Sequence, residues 1–124
     1  MYEIGVRGRF SAAHRIEGYD GSCAALHGHN WEVEVYVRGD RPDGSGMLLD
    51  FRRLKSDLNG VLELLDHHNL NDVPALEGRN PTSETIARFV FERVAGMLRG
   101  ESCGVDRVTV RETADTAATY RQND

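Results

Sequence analysis

The sequence predicts an α+β domain: a four-stranded antiparallel sheet with two helices packed on one face, in the order ββααββ. Three observations predict it. Residues 2–15 and 27–38 alternate apolar and polar side chains, the period of a half-buried strand. Two central segments, beginning at Asp50 and at Pro81, space their apolar residues as helices do. A third alternating run, 105–112, and a short strand, 116–121, close the chain. Strands flanking a helical pair form a sheet covered on one side.

In the first strand Ile4, Val6, Phe10, Ala12 and His14 share one face, and Glu3, Arg7, Arg9 and Ser11 share the other. In the second, His27, His29, Trp31, Val33, Val35 and Val37 form the apolar face. The connection carries Gly18, Asp20, Gly21 and Ser22, all turn formers. A Gly- and Pro-rich turn, 39–46, precedes Asp50, a helix cap. Phe51, Leu54, Leu58, Val61, Leu62 and Leu65 follow at helical spacing, and that helix is expected to end near Asp66. The second helix starts at Pro81-Thr82-Ser83-Glu84, where Thr82 or Ser83 caps it and Glu84 favours the helix dipole. Its apolar stripe runs from Ile86 to Leu98. Val108, Val110 and Glu112 share a face of the third strand. Such a sheet has two edges, which invite pairing between copies.

The chain has 124 residues and 40% hydrophobic residues, enough for one domain, 1–124, with a single core. No segment reaches the roughly 20 apolar residues that span a bilayer, and the N-terminus has no signal-peptide core, so a cytoplasmic protein is expected. A net charge of -5 argues against a broad nucleic-acid surface. The two cysteines, Cys23 and Cys103, are expected as free thiols.

The stretch Cys23-Ala-Ala-Leu-His27-Gly28-His29 carries the chemistry. His27 and His29, two apart on a strand, project to the same side. His14 ends the first strand where His27 begins the second, so a hairpin brings three imidazoles together. Three histidines with an open fourth position are the pattern of a catalytic zinc site; the competing reading is three ordinary half-buried histidines. Cys23 is a fourth ligand, an inert loop thiol, or a reactive thiol whose pKa the neighbouring site lowers. Asp66 beside His67 forms a poised acid–base pair or a polar helix end. Spacing does not choose between His67 and His68. Glu112, on apolar parity, needs a partner: an arginine, or a ligand with several N–H donors.

Six motifs stand in order along the chain: Ala13-His14-Arg15, Cys23-x-x-x-His27-Gly28-His29, Asp50-Phe51, Leu65-Asp66-His67-His68-x-Leu70-Asn71, Asn80-Pro81-Thr82-Ser83-Glu84 and Arg111-Glu112-Thr113. Together they resemble the 6-pyruvoyltetrahydropterin synthase family. The three-residue gap after Cys23 resembles its bacterial 6-carboxytetrahydropterin synthase branch. Arg111 stands where lysine is common in that family.

The resemblance implies the tunnelling fold, or T-fold, with sheets joined edge to edge into trimers, trimers stacked into a hexamer, and active sites at subunit interfaces. It implies Zn2+ held by His14, His27 and His29, with Cys23 as general base and Asp66 with His67 as the partner acid–base pair. Glu112 would anchor the pterin ring, helped by Thr82, Ser83 and Glu84. The substrate would be 7,8-dihydroneopterin triphosphate. The products would be 6-carboxy-5,6,7,8-tetrahydropterin, acetaldehyde and triphosphate, on the route to queuosine and other 7-deazaguanines. Arg15 and Arg111 are candidates for the triphosphate. The alternatives are triphosphate elimination alone, giving 6-pyruvoyltetrahydropterin, a zinc hydrolase that does not use Cys23, and a non-enzymatic zinc-binding module.

Overall fold

The computed structural model describes residues 1–18, 21 and 24–122; Asp20, Ser22 and Cys23, named above, lie outside the described residues. Strand β1 (Tyr2–His14) pairs antiparallel with β2 (His27–Gly39), from Tyr2 opposite Gly39 to His14 opposite His27. Strand β3 (Gly104–Arg111) pairs with β2, and β4 (Ala118–Tyr120) with β3, giving the order β1-β2-β3-β4. All pairings are antiparallel.

Between Tyr36 and Val37 the β2–β3 register shifts, with Asp106 as the extra residue. Such a bulge changes which side chains face inward: Val105 packs against the core although its parity differs from that of Val108 and Val110. The expected last strand, 116–121, is shortened to Ala118–Tyr120. The segment before it is held in a turn by a 2.9 Å hydroxyl bond between Thr113 and Thr116.

Helix α1 (Phe51–Leu62) starts at Asp50, whose carboxylate accepts the Arg52 N–H. It stops before Asp66 because the chain leaves the helix to bond the edge of β1. The Ser11 N–H donates to Asp66 Oδ1 at 2.8 Å, and the His67 N–H donates to the Ser11 carbonyl at 2.6 Å. His67 takes a left-handed φ of 59°, which ends the turn. Short 3-10 turns follow at Leu70–Asp72 and Pro74–Leu76. Helix α2 (Ser83–Met97) is capped by Thr82, whose hydroxyl accepts the Thr85 N–H.

Trp31, Val33, Val35, Val37, Val108 and Val110 on the sheet meet Leu54, Leu58, Ile86, Val90 and Val94 on the helices, all fully buried. This apolar layer is the core, and the apolar term dominates its stability. Gly8 lets α1 lie close on β1: a Cβ there would fall 2.7 Å from Leu62 Cδ1. The other face of the sheet is charged. Glu34, buried at its centre, accepts the Tyr36 hydroxyl at 2.6 Å and Arg111 Nε at 3.3 Å, and lies 3.5 Å from Arg7. The Tyr36 hydroxyl, with Arg111 and Arg7, holds the Glu34 carboxyl below its ordinary range, against the opposing effect of burial.

Candidate active site

The end of β1, the start of β2, the end of β3 and the N-terminus of α2 meet at one corner of the molecule. Strand parity and register place His14 opposite His27, and His29 opposite Ala12, all on the helix-covered face. The three imidazoles each offer a nitrogen, and these nitrogens lie within 4.8 Å of one another. The rings meet edge-on, with centroids 4.6, 4.8 and 5.3 Å apart.

Hydrogen bonds set two of the tautomers. His14 Nδ1 lies 2.7 Å from the Pro81 carbonyl, and His27 Nδ1 lies 2.7 Å from the Ala25 carbonyl. A carbonyl only accepts, so each Nδ1 carries the proton and each Nε2 keeps a lone pair. His14 Nε2 and His29 Nε2 are buried without a hydrogen-bond partner among the described residues. A buried polar atom rarely goes unsatisfied; a cation shared by the three lone pairs satisfies them all. Orienting Nδ1–H bonds of this kind accompany metal-ligating histidines. Burial lowers the His29 pKa, and the neighbouring imidazoles lower it further against the raising effect of Glu112, so His29 favours the neutral form a metal requires. The residues fit a divalent metal with nitrogen ligands.

Glu112 stands one residue past β3 on the same face. Its Oε1 accepts the Ser83 hydroxyl at 2.8 Å, while Oε2 lies 3.3 Å from His29 Nε2 and 3.9 Å from His14 Nε2. No arginine pairs with Glu112 among the described residues. The neighbouring Arg111 turns to the other face of the sheet and engages Glu34. Of the segment at the start of α2, the structure draws buried Ser83 into the site, uses the Thr82 hydroxyl as the helix cap, and leaves Glu84 facing solvent. Arg15 is paired with Glu17 at 3.6 Å on the surface.

Asp66 and His67 pair at the outer edge of β1, with Asp66 Oδ2 2.9 Å from His67 Nδ1. The Ser11 N–H lowers the Asp66 pKa most, with His67 adding to the effect, so Asp66 remains a carboxylate and an acceptor. His68 turns instead to the Asp66 main-chain carbonyl, its Nδ1 2.7 Å away. The structure thus pairs the carboxylate with His67. That imidazole is 82% exposed, whereas His14 is 1% exposed. A cavity of about 550 Å³ includes both His29 and His67 in its lining, with Ser11, Gly28 and Asn30 between them. Cys23, the remaining catalytic candidate, lies outside the described residues.

Sequence reasoning missed the scaffold around these groups. Asn71 accepts the Arg15 N–H at 2.8 Å and donates to the Arg15 carbonyl at 3.0 Å. Asn80 makes the same two bonds to Glu17, both at 2.9 Å. Each amide replaces a missing strand and fixes the backbone just after His14. Both asparagines stand within the quoted motifs, Asn71 closing one and Asn80 opening another, but nothing in their spacing indicated a clamp on the backbone after His14.

The family model described as 6-pyruvoyl tetrahydropterin synthase matches residues 3–123. A Synechocystis protein named 6-carboxy-5,6,7,8-tetrahydropterin synthase is 42% identical, over 90% of this chain and 86% of its own. A Pyrococcus furiosus protein named dihydroneopterin monophosphate aldolase is 39% identical, over 77% of this chain and 76% of its own. The solved structure of Caenorhabditis elegans 6-pyruvoyl tetrahydropterin synthase superposes with a TM-score of 0.87 at 32% identity, covering 98% of this chain and 96% of that one. The α+β sheet with its two helices is the T-fold, and the chain belongs to the 6-pyruvoyl tetrahydropterin synthase family.

Proposed function

We propose that this chain is a zinc-dependent lyase, a 6-carboxy-5,6,7,8-tetrahydropterin synthase. It takes 7,8-dihydroneopterin triphosphate and one water to 6-carboxytetrahydropterin, acetaldehyde and triphosphate, within queuosine biosynthesis. The observation that carries the reading is the junction of three converging imidazoles with the Glu112 carboxylate beside them. The resemblance to the Synechocystis synthase supports the choice of reaction.

In this reading His14, His27 and His29 hold Zn2+. A metal held there would supply Lewis acidity toward the substrate's side-chain oxygens, which would make the adjacent C–H bonds more acidic. Glu112 accepts paired N–H donors from the guanidine-like edge of the pterin. Cys23, as thiolate, removes a side-chain proton. Asp66 orients His67 through its 2.9 Å contact and stabilises the imidazolium, so His67 returns a proton elsewhere on the substrate. Moving protons this way transfers reducing equivalents from side chain to ring without a nicotinamide. The exposed position of the Asp66–His67 pair suits a site shared between copies of the chain, in a homohexamer of two trimers. The open edge of β1 and the exposed Tyr2 and Phe51 beside it would then be covered. No described helix is long and apolar enough to cross a membrane; a cytoplasmic site of action is part of the proposal.

The test is release of triphosphate from dihydroneopterin triphosphate by metal-loaded protein under anaerobic conditions, comparing wild type with Cys23→Ala. Turnover in wild type and its loss in the variant support the reading. Equal turnover in both removes Cys23 from the mechanism and favours a hydrolase. The pterin product, identified by mass, separates carboxytetrahydropterin from pyruvoyltetrahydropterin and from an aldolase product.

A further inference from the structure

We propose that Glu112 is the fourth ligand of the metal in the substrate-free protein, with Ser83 holding it in that position. The inference rests on the metal-site reading above and deepens it. A tetrahedral zinc site with bonds of about 2.0–2.1 Å places any two ligand atoms about 3.3–3.4 Å apart. Glu112 Oε2 lies 3.3 Å from His29 Nε2, close to the edge of such a tetrahedron, and 3.9 Å from His14 Nε2; the three imidazole nitrogens lie within 4.8 Å of one another, so the cluster would contract around an ion. Yet His29 Nε2 forms no hydrogen bond among the described residues, despite a carboxylate oxygen at that distance. A cation between the two atoms would satisfy both.

Ser83 sets the position of the carboxylate. It is itself buried at 8% exposure, and its hydroxyl donates to the other oxygen, Oε1, at 2.8 Å. Ser83 is the first residue of α2, and the Pro81 carbonyl two residues before it orients His14. One short segment therefore fixes both a histidine ligand and the carboxylate. Ser83 is a positioning residue in this account, not a catalytic one.

The consequence is a shared carboxylate. Without substrate, Glu112 closes the metal's fourth position against water and stray ligands. The pterin's N–H donors compete for the same oxygens, so binding of the ring frees a coordination position for the substrate's side chain. Recognition of the ring and access to the metal become one event.

The experiment is zinc affinity at fixed neutral pH, by competition with a chromophoric chelator, for the full chain without substrate. Outer-shell partners of metal ligands typically account for 10–100-fold in affinity; Glu112→Gln, which removes a ligand, is expected to weaken binding at least about tenfold. Ser83→Ala is expected to weaken it about tenfold, and Ser83→Thr to restore it. The cobalt form gives a second readout. Its visible spectrum should be four-coordinate in wild type, change in Glu112→Gln, and change in wild type when dihydroneopterin is added. If Glu112→Gln does not fold, Glu112→Asp, shorter by one methylene, serves in the same measurements. Wild-type affinity and an unchanged cobalt spectrum in a folded Glu112 variant overturn the inference while leaving the pterin reading intact. A wild-type chain that binds no metal overturns both.

Discussion

Removing the metal should unfold the protein at a markedly lower temperature, by an amount the site's geometry sets. Without a cation, His14 Nε2 and His29 Nε2 are buried with no partner among the described residues. Each unsatisfied buried group costs about 1–3 kcal/mol, so the stripped fold carries a strain of about 2–6 kcal/mol at this corner. Mass action sets the same scale: a ligand that binds only the folded state at 100–1,000 times its Kd stabilises by about 2.7–4.1 kcal/mol. For a domain of this size each kcal/mol moves Tm by about 4 °C, giving an expected rise of about 10–16 °C on zinc addition. The assay is a thermal melt of chelator-treated protein with and without zinc, repeated for His14→Ala. The variant should lose the zinc-dependent rise. Coincident melting of stripped and zinc-loaded wild type would refute the reasoning, as would an undiminished rise in His14→Ala.

Other consequences follow from the same coordinates. Gly8→Val puts side-chain atoms where Leu62 Cδ1 and Leu58 already lie; overpacking should cost about 1–3 kcal/mol in urea denaturation. Replacing Glu34 by Gln removes the negative charge and turns one of the two oxygens that accept from Tyr36 and Arg111 into a donor, with an expected loss of about 1–3 kcal/mol at neutral pH. Because the folded Glu34 carboxyl titrates below its unfolded value of 4.5, its contribution is present above that pH. It disappears as pH falls through the folded pKa. The stability gap between wild type and the Glu34 variant should therefore narrow on acidification, and a gap that widens contradicts the assignment. His67→Ala changes an imidazole that is 82% exposed, so stability should stay within about 0.5 kcal/mol. Turnover should fall by about 10²–10⁴-fold, the contribution of a positioned acid–base group.

Much of this was readable in the sequence, for identifiable reasons. Alternation at period two gave both long strands and put His14, His27, His29 and Glu112 on one face, because parity alone decides which side a strand residue takes. Helical spacing likewise located α1 and α2. Less legible were features set by contacts across the fold. Helix α1 ends at Leu62, earlier than its apolar spacing indicates, because the Asp66–His67 segment bonds the Ser11 main chain instead. The contact of the Asp66 carboxylate with His67 rather than His68 accompanies a left-handed backbone at His67, which spacing does not encode. The bulge at Asp106 reverses parity within β3 and was invisible to an alternation count. The amide clamps of Asn71 and Asn80 and the Pro81 carbonyl on His14 are long-range bonds with no periodic signature.

The most direct test of the account is the ratio of acetaldehyde to triphosphate released when zinc-loaded protein turns over dihydroneopterin triphosphate. The account predicts one acetaldehyde per triphosphate, with 6-carboxytetrahydropterin as the pterin. Triphosphate without acetaldehyde would contradict it, and 6-pyruvoyltetrahydropterin as the pterin would then assign the chain to the pyruvoyl-forming reaction of the same family.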